Sequence, residues 1–327
     1  MPHWTSETCA AGGVNIHYWR GQSIDGRGPQ RGDAARPPRL RAGQGKPPLL
    51  LLHGLTANGA CWHPVARHLE GEFDVVMPDA RGHGRSSAPA QGYRYEDHAA
   101  DVLALIAALD LDQPFLLGHS MGGMTAALVA GMATGMAAGL AIGIPAGMAA
   151  GMPARRMGAA VRGVVLADPT FLTPRRQREV WESNAAAEHR RQLSRSEGEL
   201  VAEARRRHPR RSAEILALQC AAKLQTRNRA FEVLEPPNPD YRQWVGAIRA
   251  PILLVLADTG GVVSEKTAGE LLRLNPRVQT ARIAETGHGI PYDQPKRLAD
   301  AVAQFLRPLA RVRRRTRPSA PPGQFCS

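Results

Sequence analysis

Gly118-His119-Ser120-Met121-Gly122 decides how this chain is read, because it stands between two segments of opposite character. Before it, Pro114-Phe115-Leu116-Leu117 is a short apolar run that reads as a buried strand. After it, Met121 to Ala133 is small or apolar throughout and reads as a helix. The pentapeptide fits G-x-S-x-G, a pattern with mechanical meaning only at such a junction. There the serine is forced onto a sharp, strained turn, and the glycines let neighbouring backbones pass close to it. The adjoining helix N-terminus offers free N–H groups to a developing negative charge. Ser120 is therefore a candidate nucleophile. The plain alternative is a Gly-rich turn that contains a serine, so the rest of the chain has to supply partners.

Working outward, Pro48-Leu49-Leu50-Leu51-Leu52 reads as a second buried strand, ending in His53-Gly54-Leu55. Acyl transfer needs two N–H donors for the oxyanion of its tetrahedral intermediate. One comes from the residue after the nucleophile, here Met121; the other comes from a loop after an earlier strand, here the N–H of Leu55. His53 itself reads as a hydrogen-bonded loop histidine. The stretch from Phe73 to Ser87, with Asp79, Arg81 and His83, reads as a strand and a braced turn that shapes the pocket floor.

The pieces LLLLHGLTANGACW, MPDARGHGRSS, GHSMGGM, ILLVLAD and ETGHGI stand in an order and spacing that resemble the α/β-hydrolase superfamily. The resemblance covers nearly all of residues 12–306, two insertions apart, and DARGHGRSS followed by GHSMGG is its most specific part. Within the superfamily the chain is similar to small bacterial enol-lactonases, ring-fission-product hydrolases and N-formylmaleamate deformylase-like amidases. The resemblance implies an α/β fold: a mostly parallel central sheet flanked by helices, with an inserted helical lid.

It also implies the chain order Ser, acid, His. The last suitable histidine is His288, in Glu285-Thr286-Gly287-His288-Gly289-Ile290, after a run over 278–284 that reads as a strand. A neutral imidazole there takes the serine proton and returns it to the leaving group. The acid that orients it is expected to be Asp258, at the tip of Ile252-Leu253-Leu254-Val255-Leu256-Ala257, although the loop Thr259-Gly260-Gly261-Val262-Val263 departs from the usual spacing. Asp168, ending Val164-Val165-Leu166-Ala167, is the alternative carboxylate. Serine at the elbow sets aside the alkyl-enzyme chemistry of dehalogenases and epoxide hydrolases, which carry aspartate there. The expectation is a serine hydrolase of a small ester, lactone or amide, working through an acyl-enzyme. The alternatives are C–C bond hydrolysis of ring-fission products with the same triad, or a non-catalytic hydrolase-fold binding protein.

At 327 residues and 43% hydrophobic, the chain can bury one substantial core. Cys9, Cys61, Cys220 and Cys326 show neither pairing nor metal-ligand spacing, so neither a disulfide framework nor a metal is expected, and the resemblance calls for no cofactor. The start of the chain lacks a charged segment followed by an apolar one, which points to the cytoplasm. Net charge is +13, but residues 20–46 contribute +5 and residues 307–327 contribute +6, leaving +2 for everything else. No aromatic residues interleave with that basicity, so a small acyl substrate is expected as partner, with no specific nucleic acid and no membrane.

The organisation reads as follows. Residues 1–13 form an N-terminal tail; 14–169 form the first part of the core, with Val14 to Trp19 as an edge strand, a basic disordered loop at 21–46 and a Gly/Ala/Met-rich insertion at 131–158. Residues 170–249 form a helical lid, with helical patterning over 176–206 and 210–226; 250–306 complete the core, and 307–327 form a disordered Arg-rich tail. Trp62 and Trp181 are candidate substrate contacts. Leu216, Leu224 and Trp244 are candidates for the inner face of the lid, and Arg227 or Arg229 for a substrate carboxylate.

Overall fold

Long apolar runs with little alternation, such as Leu49–Leu52 and Val164–Ala167, belong to strands covered on both faces, and such strands pair in parallel. The computed structural model, which describes residues 4–21, 45–137 and 161–311, places them so. Strands β1 (Trp4–Ala11), β2 (Val14–Gly21), β3 (Pro48–Leu52), β4 (Asp74–Pro78), β5 (Phe115–His119), β6 (Gly163–Ala167), β7 (Ile252–Ala257) and β8 (Val278–Ile283) form one sheet in the order β1-β2-β4-β3-β5-β6-β7-β8. β1 and β2 pair antiparallel, as do β2 and β4; every other pair is parallel.

The connecting helices, in chain order, are α1 (His63–Ala66), α2 (Tyr95–Ala108), α3 (Met121–Ala137), α4 (Pro174–Glu182), α5 (Ala185–Gln192), α6 (Glu197–Arg207), α7 (Ala213–Leu224), α8 (Tyr241–Ala247), α9 (Glu265–Leu274), α10 (Ile290–Asp293) and α11 (Pro295–Arg311). One sheet face packs on α2, α3 and α8 through Leu105, Leu128 and Trp244. The other packs on α1 and α11 through Val65, Leu298 and Val302. Buried ion pairs lock the first half: Arg81 Nε and Nη2 grip both oxygens of Asp101, and Arg20 pairs with Asp74 across β2 and β4. Among the described residues, no helix is long and apolar enough to cross a membrane.

The α/β expectation is met, with corrections at several boundaries. Residues 4–11 are a strand rather than tail, turned onto β2 by Gly12 and Gly13, both at positive φ (60° and 86°). Hence β2 is interior and β1 is the edge. The helical patterning of 176–206 breaks twice: Asn184 sits at φ 54°, and Ser196 with Glu199 forms a capping box that starts α6. α8 falls inside the stretch read as lid, yet its Trp244 lies against Gly131 of α3 in the core. α11 runs on to Arg311, past the expected end at 306. Most of the basic loop, residues 138–158 of the Gly/Ala/Met insertion, and the tail from 312 lie outside the described residues.

Candidate active site

Ser120 follows β5 directly and sits at φ 54°, a left-handed conformation that costs energy in a residue with a Cβ. Close packing over-determines it. Its N–H donates to the Ala167 carbonyl (3.1 Å), and its carbonyl accepts from Gly123 and Met124. The pentapeptide's glycines are obligatory by contact: a Cβ on Gly118 would overlap the Gly122 carbonyl, and one on Gly122 would overlap the Leu52 carbonyl. The turn therefore has room for side chains only at its middle positions, and the serine hydroxyl faces the cleft.

Ser120 Oγ lies 2.9 Å from His288 Nε2. On the other side of the ring, His288 Nδ1 lies 2.6 Å from Asp168 Oδ2. A carboxylate facing Nδ1 holds the proton there, which leaves Nε2 as acceptor for the serine O–H. Asp168 is 0% exposed. Burial pushes its carboxyl up, but bonds from His288 and from the N–H groups of Val263 and Val262 outweigh this and hold it below the usual aspartate value.

This corrects the expectation for the acid. Asp258 does not meet His288; its Oδ2 accepts from the Glu285 N–H at 3.0 Å, and the side chain is exposed. The reason is the departing loop. Gly260-Gly261 turns the chain after β7 back over the tip of β6, so that this loop donates N–H groups to a carboxylate held by the neighbouring strand. Asp258 instead ties down the segment that carries His288, with its own N–H directed at the Thr286 carbonyl (3.1 Å).

The loop after β3 closes the other side. A Cβ on Gly54 would stand 3.2 Å from Ser120 Cβ, which measures how near this backbone comes to the serine. His53 fixes it: Nε2 accepts from the Ala80 N–H (2.9 Å), so Nδ1 carries the proton and donates to the Gly54 carbonyl (2.8 Å). Burial lowers the pKa of this ring. Met121 is the first residue of α3, so its N–H has no intrahelical acceptor. Gly54 and Met121 thus border Ser120, one from the loop after β3 and one from the start of α3.

Sequence reasoning passed over two braces. His119 Nε2 donates to the His288 carbonyl at 2.7 Å, with the two rings 5.0 Å apart. Burial, helped by the neighbouring His288, pushes the His119 pKa down to about 3. Asp293 accepts from the Gly287 N–H (3.1 Å) and from Arg211 Nε (2.8 Å). Only the position of His119 inside the elbow could have hinted at the first.

Ser120 and His288 open into a cleft of about 1210 Å³ between the strand tips and α5, α6 and α7. The other expected contacts do not line it. Trp62 is 2% exposed within the core beside α1, and Trp181 is 42% exposed on the outer surface of α4. Trp244 packs on α3, and Leu216 and Leu224 also miss the cleft wall. Arg229 points instead to the Ala90 carbonyl and Glu232, and Arg227 is likewise outside the cleft. Among the described residues, no group of three or more His, Cys, Asp or Glu is placed to hold a metal ion.

The sequence profile described as "alpha/beta hydrolase fold" matches residues 47–295. The chain belongs to the α/β-hydrolase family. N-formylmaleamate deformylase of Pseudomonas putida is 31% identical to this α/β hydrolase over 274 residues, covering 82% of this chain and 91% of the deformylase. Among solved structures, E-2-(acetamidomethylene)succinate hydrolase superposes with a TM-score of 0.68 at 19% identity, covering 93% of this chain and all (100%) of that one. The enol-lactonase of Burkholderia xenovorans superposes at 0.64 with 20% identity, covering 92% and 100%. The two structural likenesses speak for the fold, and the expectation of a hydrolase is met by the family.

Proposed function

We propose that Ser120 is the nucleophile of an acyl-transfer reaction, with His288 as general base and Asp168 as the carboxylate that orients it. The observation that carries this reading is the unbroken relay from Ser120 Oγ to His288 Nε2 (2.9 Å) and from His288 Nδ1 to Asp168 Oδ2 (2.6 Å). In attack, Oγ bonds to the substrate carbonyl carbon as its proton passes to Nε2. The imidazolium that forms is stabilised by the buried carboxylate. The N–H groups of Leu55 and Met121 hold the oxyanion, and His288 then gives its proton to the departing alcohol or amine. Water enters by the same route in reverse and frees the acid.

The substrate is a small carboxylic ester, lactone or amide. The deformylase relative supports this, since its name places an N-formyl amide at the scissile position. Substrate choice falls to α5, α6 and α7, which wall the cleft opposite the triad and make residues 185–224 the working part of the lid. A reducing cytoplasmic setting is supported by the free thiols of Cys9, Cys61 and Cys220.

Ser120→Ala tests the assignment. It is expected to lower p-nitrophenyl acetate turnover by more than about a thousandfold and to abolish fluorophosphonate labelling. Labelling that persists in the variant would exclude Ser120.

A further inference from the structure

The cleft wall beside His288 carries a guanidinium that is held rigid yet not fully used. Arg211 stands in the turn between α6 and α7, one residue before the cap Ser212. Its side chain is 10% exposed. Nε donates to Asp293 Oδ1 at 2.8 Å, and Nη1 donates to Gln219 Oε1 at 3.0 Å. The plane lies over Tyr292, 5.6 Å from the ring centroid. Nη2 has no acceptor among the described residues, and it rests against Gly289, next to His288: a Cβ at Gly289 would collide with it. Arg211, Gly289, Ser120 and His288 all line the same cleft.

A guanidinium pinned by two hydrogen bonds and a ring has already lost its rotamer freedom, so binding an anion costs it little further entropy. Nη2 stands at Gly289, beside His288, in the wall of the cleft that Ser120 also lines. The surrounding charges leave the anion-binding capacity in place. Asp293 is occupied by Arg211 and the Gly287 N–H, Glu203 by Arg195 and Arg207, Glu285 by Arg297, and the exposed Asp258 accepts from the Glu285 N–H. Arg210 and Lys223 on the same wall form no ion pair among the described residues.

We propose that Arg211 is the substrate-carboxylate anchor of this cleft, so that the preferred substrates are acyl compounds carrying a second, anionic carboxylate a few bonds from the scissile carbonyl. The proposal rests on Ser120 catalysis and deepens it. Nη2 and the remaining N–H of Nη1 meet the carboxylate, and the scissile carbonyl then reaches Ser120 with its leaving group towards His288.

The test compares p-nitrophenyl hemiglutarate with p-nitrophenyl valerate, an uncharged ester of similar length, on the wild type, Arg211→Lys and Arg211→Gln. The wild type is expected to favour the hemiglutarate in kcat/KM by at least about tenfold. That ratio is expected to fall to about one in Arg211→Gln, mainly through KM, and to recover in part in Arg211→Lys. Reading a ratio removes any general loss caused by disturbing Asp293. Glutarate is further expected to raise the melting temperature of the wild type, and to inhibit valerate hydrolysis competitively, where glutaramide does neither. This arm does not depend on any variant folding. Turnover through Ser120 with no preference for the charged ester and no effect of glutarate would overturn the role of Arg211 while leaving the nucleophile intact. Equal turnover by Ser120→Ala would overturn the catalytic reading itself, and the glutarate binding arm would still decide on Arg211.

Discussion

Asp168 and Asp258 are two carboxylates at the tips of adjacent strands, and the environment separates their roles. Asp168 is buried, accepts two backbone N–H bonds and faces Nδ1 of His288; Asp258 is exposed and caps a loop. Asp168→Asn keeps the shape but removes the charge that stabilises the imidazolium and can present an N–H to Nδ1, which favours the wrong tautomer. Its kcat is expected to fall by roughly a thousandfold to ten-thousandfold, against less than about tenfold for Asp258→Asn. Purified variants with matched melting temperatures and one activated ester decide this, and the reverse order would restore Asp258 as the acid. The meeting of Ser120 and His288 was legible in the sequence because each lies inside a tight local motif. The carboxylate that meets His288 was not, because it depends on which of two neighbouring tips the loop after β7 folds over. That is a contact across strands, and no local pattern encodes it.

At the level of elements, the elbow works because β5, α3 and the end of β3 approach closer than side chains permit. Gly122→Ala would drive a methyl group into the Leu52 carbonyl, which is backbone and cannot swing away. It is expected to destabilise the fold by about 1–3 kcal/mol or more and to disturb the Leu55 loop, lowering activity as well. Gly71→Ala, where nothing stands within 4 Å and φ is not positive, is expected to change stability by no more than about 0.5 kcal/mol. Thermal unfolding of the two variants gives the comparison, and equal melting temperatures would remove the packing argument. The apolar strands were readable for the same reason that they are rigid: burial on both faces forces runs of Leu, Val and Ile. β1 was not readable. Trp4-Thr5-Ser6-Glu7-Thr8-Cys9 has one face open to solvent and little apolar bulk, and its pairing with β2 is set by the Gly12-Gly13 turn. α8 was taken for lid because its Tyr and Trp suit either setting; only its packing on α3 places it in the core.

Across the whole molecule, the sheet brings Ser120, Asp168 and His288 together from β5, β6 and the segment after β8, and it does so by burying several imidazoles as neutral rings. His83, in the turn after β4, has its pKa pushed down to about 3 by burial and by the nearby His53; His119 is pushed to about 3 by burial and His288. An unfolded chain would hold these rings near the ordinary value of about 6.5. Below that pH the unfolded state takes up protons that the folded state refuses, so stability falls as pH drops from about 6.5 towards 3. At pH 5 each such histidine costs roughly 2 kcal/mol relative to neutral pH. Asp168 acts in a separate window: its folded value lies below its unfolded one, so its contribution is present above about 4 and is lost only as the pH falls further. Urea unfolding at intervals from pH 7 to pH 5 is therefore expected to show a midpoint that declines well before Asp168 titrates. His83→Gln, which can keep the bond to the Arg81 carbonyl without a titrating ring, is expected to shrink that decline by about half of what the pair contributes. A stability that stays level between pH 7 and pH 5 would mean that these rings are solvated or protonated in the fold, and that the packing around the elbow is looser than its contacts imply.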